Sequence, residues 1–85
     1  MNIEMLKKLY EFDYSLARTH RDHKRFLHEI DRLSVNREIE SDTAEDTRSY
    51  DVNIQILKER VNDCSWRLNY ACERLGLGQQ FEFFM

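Results

Sequence analysis

From residue 47 onward the apolar positions Tyr50, Ile54, Leu57, Val61, Cys64, Leu68, Ala71 and Leu75 recur at alternating steps of four and three. That spacing keeps every one of them on a single stripe of an α-helix, a heptad seam made to lie against another helix. "SDTAED" at 41–46 offers capping side chains and acids where a helix starts. "ERLGLG" at 73–78 reads as a Schellman stop, with Gly76 left-handed and Leu77 folding back. One helix is therefore predicted over about 43–75. A second set, Leu6, Leu9, Leu16, Leu27 and Ile30, falls on a similar seam flanked by Met5, Tyr10, Phe12, Phe26 and Leu33. It predicts a first helix from about residue 3 to the mid-thirties, with 35–42, "VNREIESD", as the turn. The chain contains no proline, and both glycines, Gly76 and Gly78, lie beyond residue 75, so no strong breaker interrupts either helix.

The expected fold is all-α: an antiparallel two-helix hairpin over 1–78, followed by an apolar C-terminal tail over 79–85. Helices of this length make a rod about 45–50 Å long. A single seam gives no second layer, so the hairpin is expected to associate into a helical bundle, with a homodimer favoured. Two stretches sit awkwardly in this scheme. Residues 18–25, "RTHRDHKR", carry no apolar side chain, although Asp13, His20 and His23 occupy the seam. Residues 81–85, "FEFFM", place three phenylalanines and a methionine after the last helix. Burying a Phe side chain is worth about 1.5–3 kcal/mol, so this tail should be covered. The candidates are its own chain across Trp66 and Tyr70, a sister subunit, or a foreign protein.

Composition narrows the partners. The net charge of -3 predicts no general attraction to nucleic acid or anionic membrane. No apolar run approaches the ~20 residues of a membrane span. "MNIEMLKKLYEFDYS" lacks the layout of a secretion signal, so a cytoplasmic location is expected. Cys64 and Cys72 lie about 12 Å apart along a helix, beyond the ~7 Å reach of a disulfide. Both read as free, buried thiols.

Three constellations could carry chemistry. With a turn near residue 40, His20 faces Val61 and Cys64 faces Ala17, so His20, His23 and Cys64 converge. Three such ligands could begin a zinc site, but no fourth is evident and the spacing fits no established pattern. No metal or other cofactor is expected, and the histidines read as hydrogen-bonded, pH-responsive groups. Arg18, Arg21, Arg25 and Arg32, with Lys24 and His28 beside them, form a basic ladder that could hold phosphates. Asp22 and Glu29 lie within helical reach of these arginines, which favours a salt-bridged solvent face. Around the turn, Glu38, Glu40, Asp42, Glu45, Asp46 and Asp51 make an acidic tip.

No Ser-His-Asp order, glycine-rich phosphate loop or paired-carboxylate site can be read from the chain. The expected function is non-enzymatic: a protein–protein interaction module that self-associates and masks a surface of a macromolecular partner. In size and style it resembles the compact inhibitors that many phages encode. Trp66 and Tyr70, one turn apart and away from the seam, are the expected partner-binding anchors together with Phe81, Phe83 and Phe84. The alternative is a nucleotide- or nucleic-acid-binding module using Arg18, Arg21, Arg25 and Arg32.

Overall fold

The seam of residues 50–75 forms one long helix, ending within a residue of where the periodicity places it. In the computed structural model, which describes residues 3–40 and 44–84 (the side chains of 44–46 excepted), three helices follow one another. They are α1 (Ile3–Phe12), α2 (Leu16–Ile39) and α3 (Ala44–Arg74). Among the described residues there is no strand. The capping candidates Ser41, Asp42 and Thr43 lie outside the described residues. Every seam residue of α3 is buried or half-buried. Its C-terminus closes as a Schellman motif: the Leu77 amide donates to the Cys72 carbonyl at 2.8 Å and the Gly76 amide to that of Glu73 at 3.1 Å. Gly76 has φ +74°, a backbone state that only glycine adopts without strain.

The first helix is not continuous, contrary to the expectation from its seam. It breaks at Asp13–Ser15, where Asp13 Oδ1 accepts from both the Ser15 amide (3.0 Å) and the Ser15 hydroxyl (2.7 Å). A short acidic side chain that binds the backbone two residues ahead stabilises a turn in competition with the helix, and this one supplies the missing breaker. Asp13 is thereby exposed rather than on the seam.

α2 and α3 pack closely along their lengths. Arg37 is bonded to Asp51 (2.5 Å) and Tyr50 to Glu40 (2.5 Å) near one end, and His23 to Ser65 (3.1 Å) further along. The His23–Ser65 and Arg37–Asp51 partners add to 88 and the Glu40–Tyr50 partners to 90, about one heptad above the 81 expected from a turn at residue 40. The predicted register of His20 opposite Val61 and Cys64 opposite Ala17 is corrected accordingly. α2 remains helical to Ile39, through most of the stretch expected to form the turn.

The molecule measures 48 × 20 × 18 Å, yet its main core sits at one end. There Leu9 of α1, Leu16 of α2, and Leu68, Ala71 and Cys72 of α3 are buried together with Phe81. Leu6, Tyr10, Leu75 and Leu77 pack around them. The break after Phe12 lets α1 act as a third wall, so two helices do not have to shelter this end alone. Toward the other end, Val35, Ile39, Val52 and Ile56 stay exposed.

Candidate functional site

The C-terminal segment resolves both anomalies of the sequence at once. Beyond Gly78, whose φ is +72°, the chain runs back along α3 without helical structure. Phe81, 6% exposed, enters beside the stretch of α2 that lacks apolar side chains. Its ring lies edge-on to His20 (centroids 6.1 Å) and His23 (5.4 Å). The polar waist is therefore filled by a hydrophobe from elsewhere in the chain, with imidazole rings as its walls.

Three short polar side chains of α3 hold this segment by its backbone. Asn69 Oδ1 accepts from the Gln80 amide (3.0 Å) and the Phe81 amide (2.9 Å), and its Nδ2 donates to the Phe81 carbonyl (2.8 Å). Asn62 repeats the clamp on Phe84, accepting from its amide (2.8 Å) and donating to its carbonyl (2.9 Å). Between them the Ser65 hydroxyl donates to the Glu82 carbonyl at 3.0 Å. A hydroxyl has one proton, so Ser65 Oγ must accept from His23 Nε2, which fixes the N–H on that nitrogen. His20 Nδ1 is bonded to the Tyr10 hydroxyl at 2.9 Å. Among the described residues no buried side-chain nitrogen or oxygen lacks a partner.

Asn62, Ser65 and Asn69 lie outside the site residues expected from the sequence. Their signal was present: steps of three and four, immediately beside the seam positions Val61, Cys64 and Leu68. Polar groups at such buried positions require hydrogen-bond partners. An apolar segment without helical backbone bonds has unsatisfied amides to offer them.

A cleft of about 520 Å³ remains open beside the segment, lined by His20, His23, Lys24, Leu27 and Val61 and by the segment itself. Burial lowers the pKa of both imidazoles below the ordinary 6.5, and Lys24 and His23 push His20 further down. The groups facing them are Tyr10 from α1, Lys24 from α2, Ser65 from α3 and Glu82 from the segment. On unfolding, both histidines regain their ordinary value and bind protons more readily than the folded chain. Stability is thus complete above about pH 6.5 and is lost as pH falls from there through the folded-state values. A melting temperature that drops between about pH 7.5 and 5 is expected, and His20→Gln/His23→Gln should flatten that slope in a calorimetric pH series.

Phe83 and Phe84 differ from Phe81. Phe84 is half-buried with Lys58 Nζ 5.5 Å from its ring centroid, and Phe83 is 43% exposed. The three rings do not cover Trp66 and Tyr70, which correct that version of tail packing by standing 64% and 50% exposed. Phe81, counted among the partner contacts, is turned into the chain's own core. Trp66 and Tyr70 stack on each other, centroids 5.8 Å apart and planes 15° from parallel, with the Arg74 guanidinium 5.6 Å from the Tyr70 ring. On one flank a shallow cleft of about 250 Å³ joins them to Phe12 and Leu16. On the other, a smaller one joins them to Gln79 and Phe83. The result is an aromatic strip across the helices.

The arginine ladder is exposed on α2. Arg25 is paired with Asp22 (3.4 Å) and lies 5.2 Å from the Phe26 ring centroid, and Arg32 is paired with Glu29. Among the described residues, Arg18 and Arg21 enter no ion pair. Of the acidic tip, Asp51 is tied to Arg37 and Glu40 accepts from Tyr50; Asp42 and the side chains of Glu45 and Asp46 lie outside the description. Both cysteines are free thiols whose pKa values burial pushes up. Cys64 lines a different cleft from the histidines, with Thr19, Asp22 and Asp63. No group of three or more metal-binding side chains gathers among the described residues. Nor is any helix among them long and apolar enough to cross a membrane. The chain matches no protein-family model, no curated protein and no solved structure.

Proposed function

We propose that this chain is a non-enzymatic protein–protein interaction module. Its α2 and α3 are the arms of an antiparallel hairpin that pairs with a second copy into a helical bundle and masks a surface of a macromolecular partner. The observation that carries the reading is the exposed Trp66–Tyr70 stack. Large aromatic anchors are the side chains that dominate binding energy at interfaces. Two rings already ordered against each other lose little side-chain freedom on docking, which removes part of the entropic cost of association. Phe12 and Phe83 lengthen the strip, and Val35, Ile39, Val52 and Ile56 add apolar surface where the molecule has only two layers. Phe84 takes part at the edge, and Phe81 acts indirectly by seating the segment that carries Phe83.

Trp66 is the only tryptophan, so its fluorescence reports this face alone. Raising the concentration should shift its emission to the blue while sedimentation shows a dimer, and Trp66→Ala/Tyr70→Ala should return the chain to a monomer. A monomer with water-exposed indole emission at every concentration would remove self-association from the reading. The alternative of a nucleotide or nucleic-acid ligand rests on the exposed Arg18 and Arg21. A rise in melting temperature with nucleotide or a short duplex, absent from an Arg18→Ala/Arg21→Ala variant, would move the function to that ladder.

A further inference from the structure

We infer that the groove formed by Asn62, Ser65, Asn69 and the His20–His23 walls is a receptor for a non-helical peptide segment. Its second occupant, besides the chain's own C-terminal segment, is the same segment of another copy. This deepens the self-association reading and rests on it.

The geometry of recognition leads there. Six polar backbone groups of the segment, from the Gln80 amide to the Phe84 carbonyl, are held entirely by α3 side chains. These contacts reach across 11 to 22 residues of sequence, so none depends on the local chain path. Asn, Ser and Asn at steps of three and four match a non-helical segment that bends at Phe81 and lies along the helix. They read backbone, as in the addition of a peptide to a fixed edge, and leave side-chain selection to one deep position. That position is Phe81, edge-on to two imidazoles and buried in one cluster with Leu9, Leu16, Leu68, Ala71 and Cys72. Nothing in these contacts distinguishes the chain's own segment from an identical one supplied by a neighbour.

The connection permits the exchange. Gly76 and Gly78, both at positive φ with open space where a Cβ would stand, link the segment to α3. Glycines at this point let the segment leave at another angle at little steric cost. The exchange keeps the six backbone contacts and the seat of Phe81 and creates a two-fold pair, which is the low-cost route by which identical elements are swapped. The segment's root is also placed for it. Gln79 and Phe83 border the Trp66–Tyr70 strip, so a second copy docked on that strip brings its own segment alongside.

The test is complementation by mixing. Asn69→Ala breaks the receptor and keeps the segment; Phe81→Ala breaks the segment and keeps the receptor. If segments exchange, an equal mixture of the two full-length variants forms a pair holding one intact receptor with one intact segment. It then shows a new melting transition at least about 4 °C above either parent, with mixed dimers by native mass spectrometry. The milder pair Asn69→Ser and Phe81→Leu gives the same comparison if either alanine variant is too unstable to refold. A melting curve that is the plain sum of the two parents overturns the exchange. Should the wild type remain a dimer in that case, the Trp66–Tyr70 reading stands without it; a wild-type monomer would overturn both.

Discussion

Phe81→Ala is expected to lower stability by about 3–5 kcal/mol, the range for truncating a fully buried aromatic side chain. Phe83→Ala, two residues on, should cost no more than about 1 kcal/mol, since its side chain is already 43% exposed. Phe81 lies edge-on to both histidines of the polar stretch of α2, and its removal leaves His20 and His23 facing a void beside Leu9 and Leu16. Domains of this size have only about 5–15 kcal/mol in total, and each kcal/mol corresponds to roughly 4–8 °C in melting temperature. A fall of well over 10 °C by circular dichroism is therefore expected for Phe81→Ala. Equal, small losses for both variants would show that the segment is not seated as described.

Asn69→Ala should cost about 3 kcal/mol, although it removes only a small polar side chain. The alanine leaves the Phe81 amide and carbonyl and the Gln80 amide without partners, and Phe81 is too deeply placed for water to replace them all. Each stranded buried group costs about 1–3 kcal/mol. Asn69→Asp is the informative contrast: it keeps an acceptor for both amides but sets a carboxylate against the Phe81 carbonyl, so an intermediate loss is expected. Asn62→Ala, at a half-buried clamp nearer the end of the segment, should cost about 1 kcal/mol. Hydrogen exchange gives the location as well as the size. In Asn69→Ala the Gln80 and Phe81 amides should lose protection while those in the middle of α3 keep theirs. Phe81→Ala and Asn69→Ala release the same segment, so their combined effect should fall short of the sum.

Helical content was legible because helices are local. The α3 seam and the Gly76 stop are written in steps of three, four and one residues, and both appear where the pattern places them. The break at Asp13 was harder to see, because an Asp–Ser turn competes with the helix through one side-chain bond and carries no glycine or proline as a flag. The register of α2 on α3 missed by a heptad for a related reason. A heptad slip preserves the seam, so periodicity alone cannot choose between the two. The Trp66–Tyr70 pair was legible as an outward aromatic face, whereas its stacking and the flanks from Phe12 and Phe83 depend on a three-dimensional path.

What the sequence determined by itself was the helical class, the long helix α3 with its stop, and two conflicts, a polar waist and an apolar C-terminal segment, each anomalous in isolation. Only the tertiary structure decided that each answers the other, with Phe81 filling the waist and Asn62, Ser65 and Asn69 satisfying the segment's backbone. The physical reason is that helix formation depends on neighbours within one turn, while burial and hydrogen-bond satisfaction are settled between groups 11 to 61 residues apart. Local spacing can state that such groups need partners; it holds no information about which ones they meet.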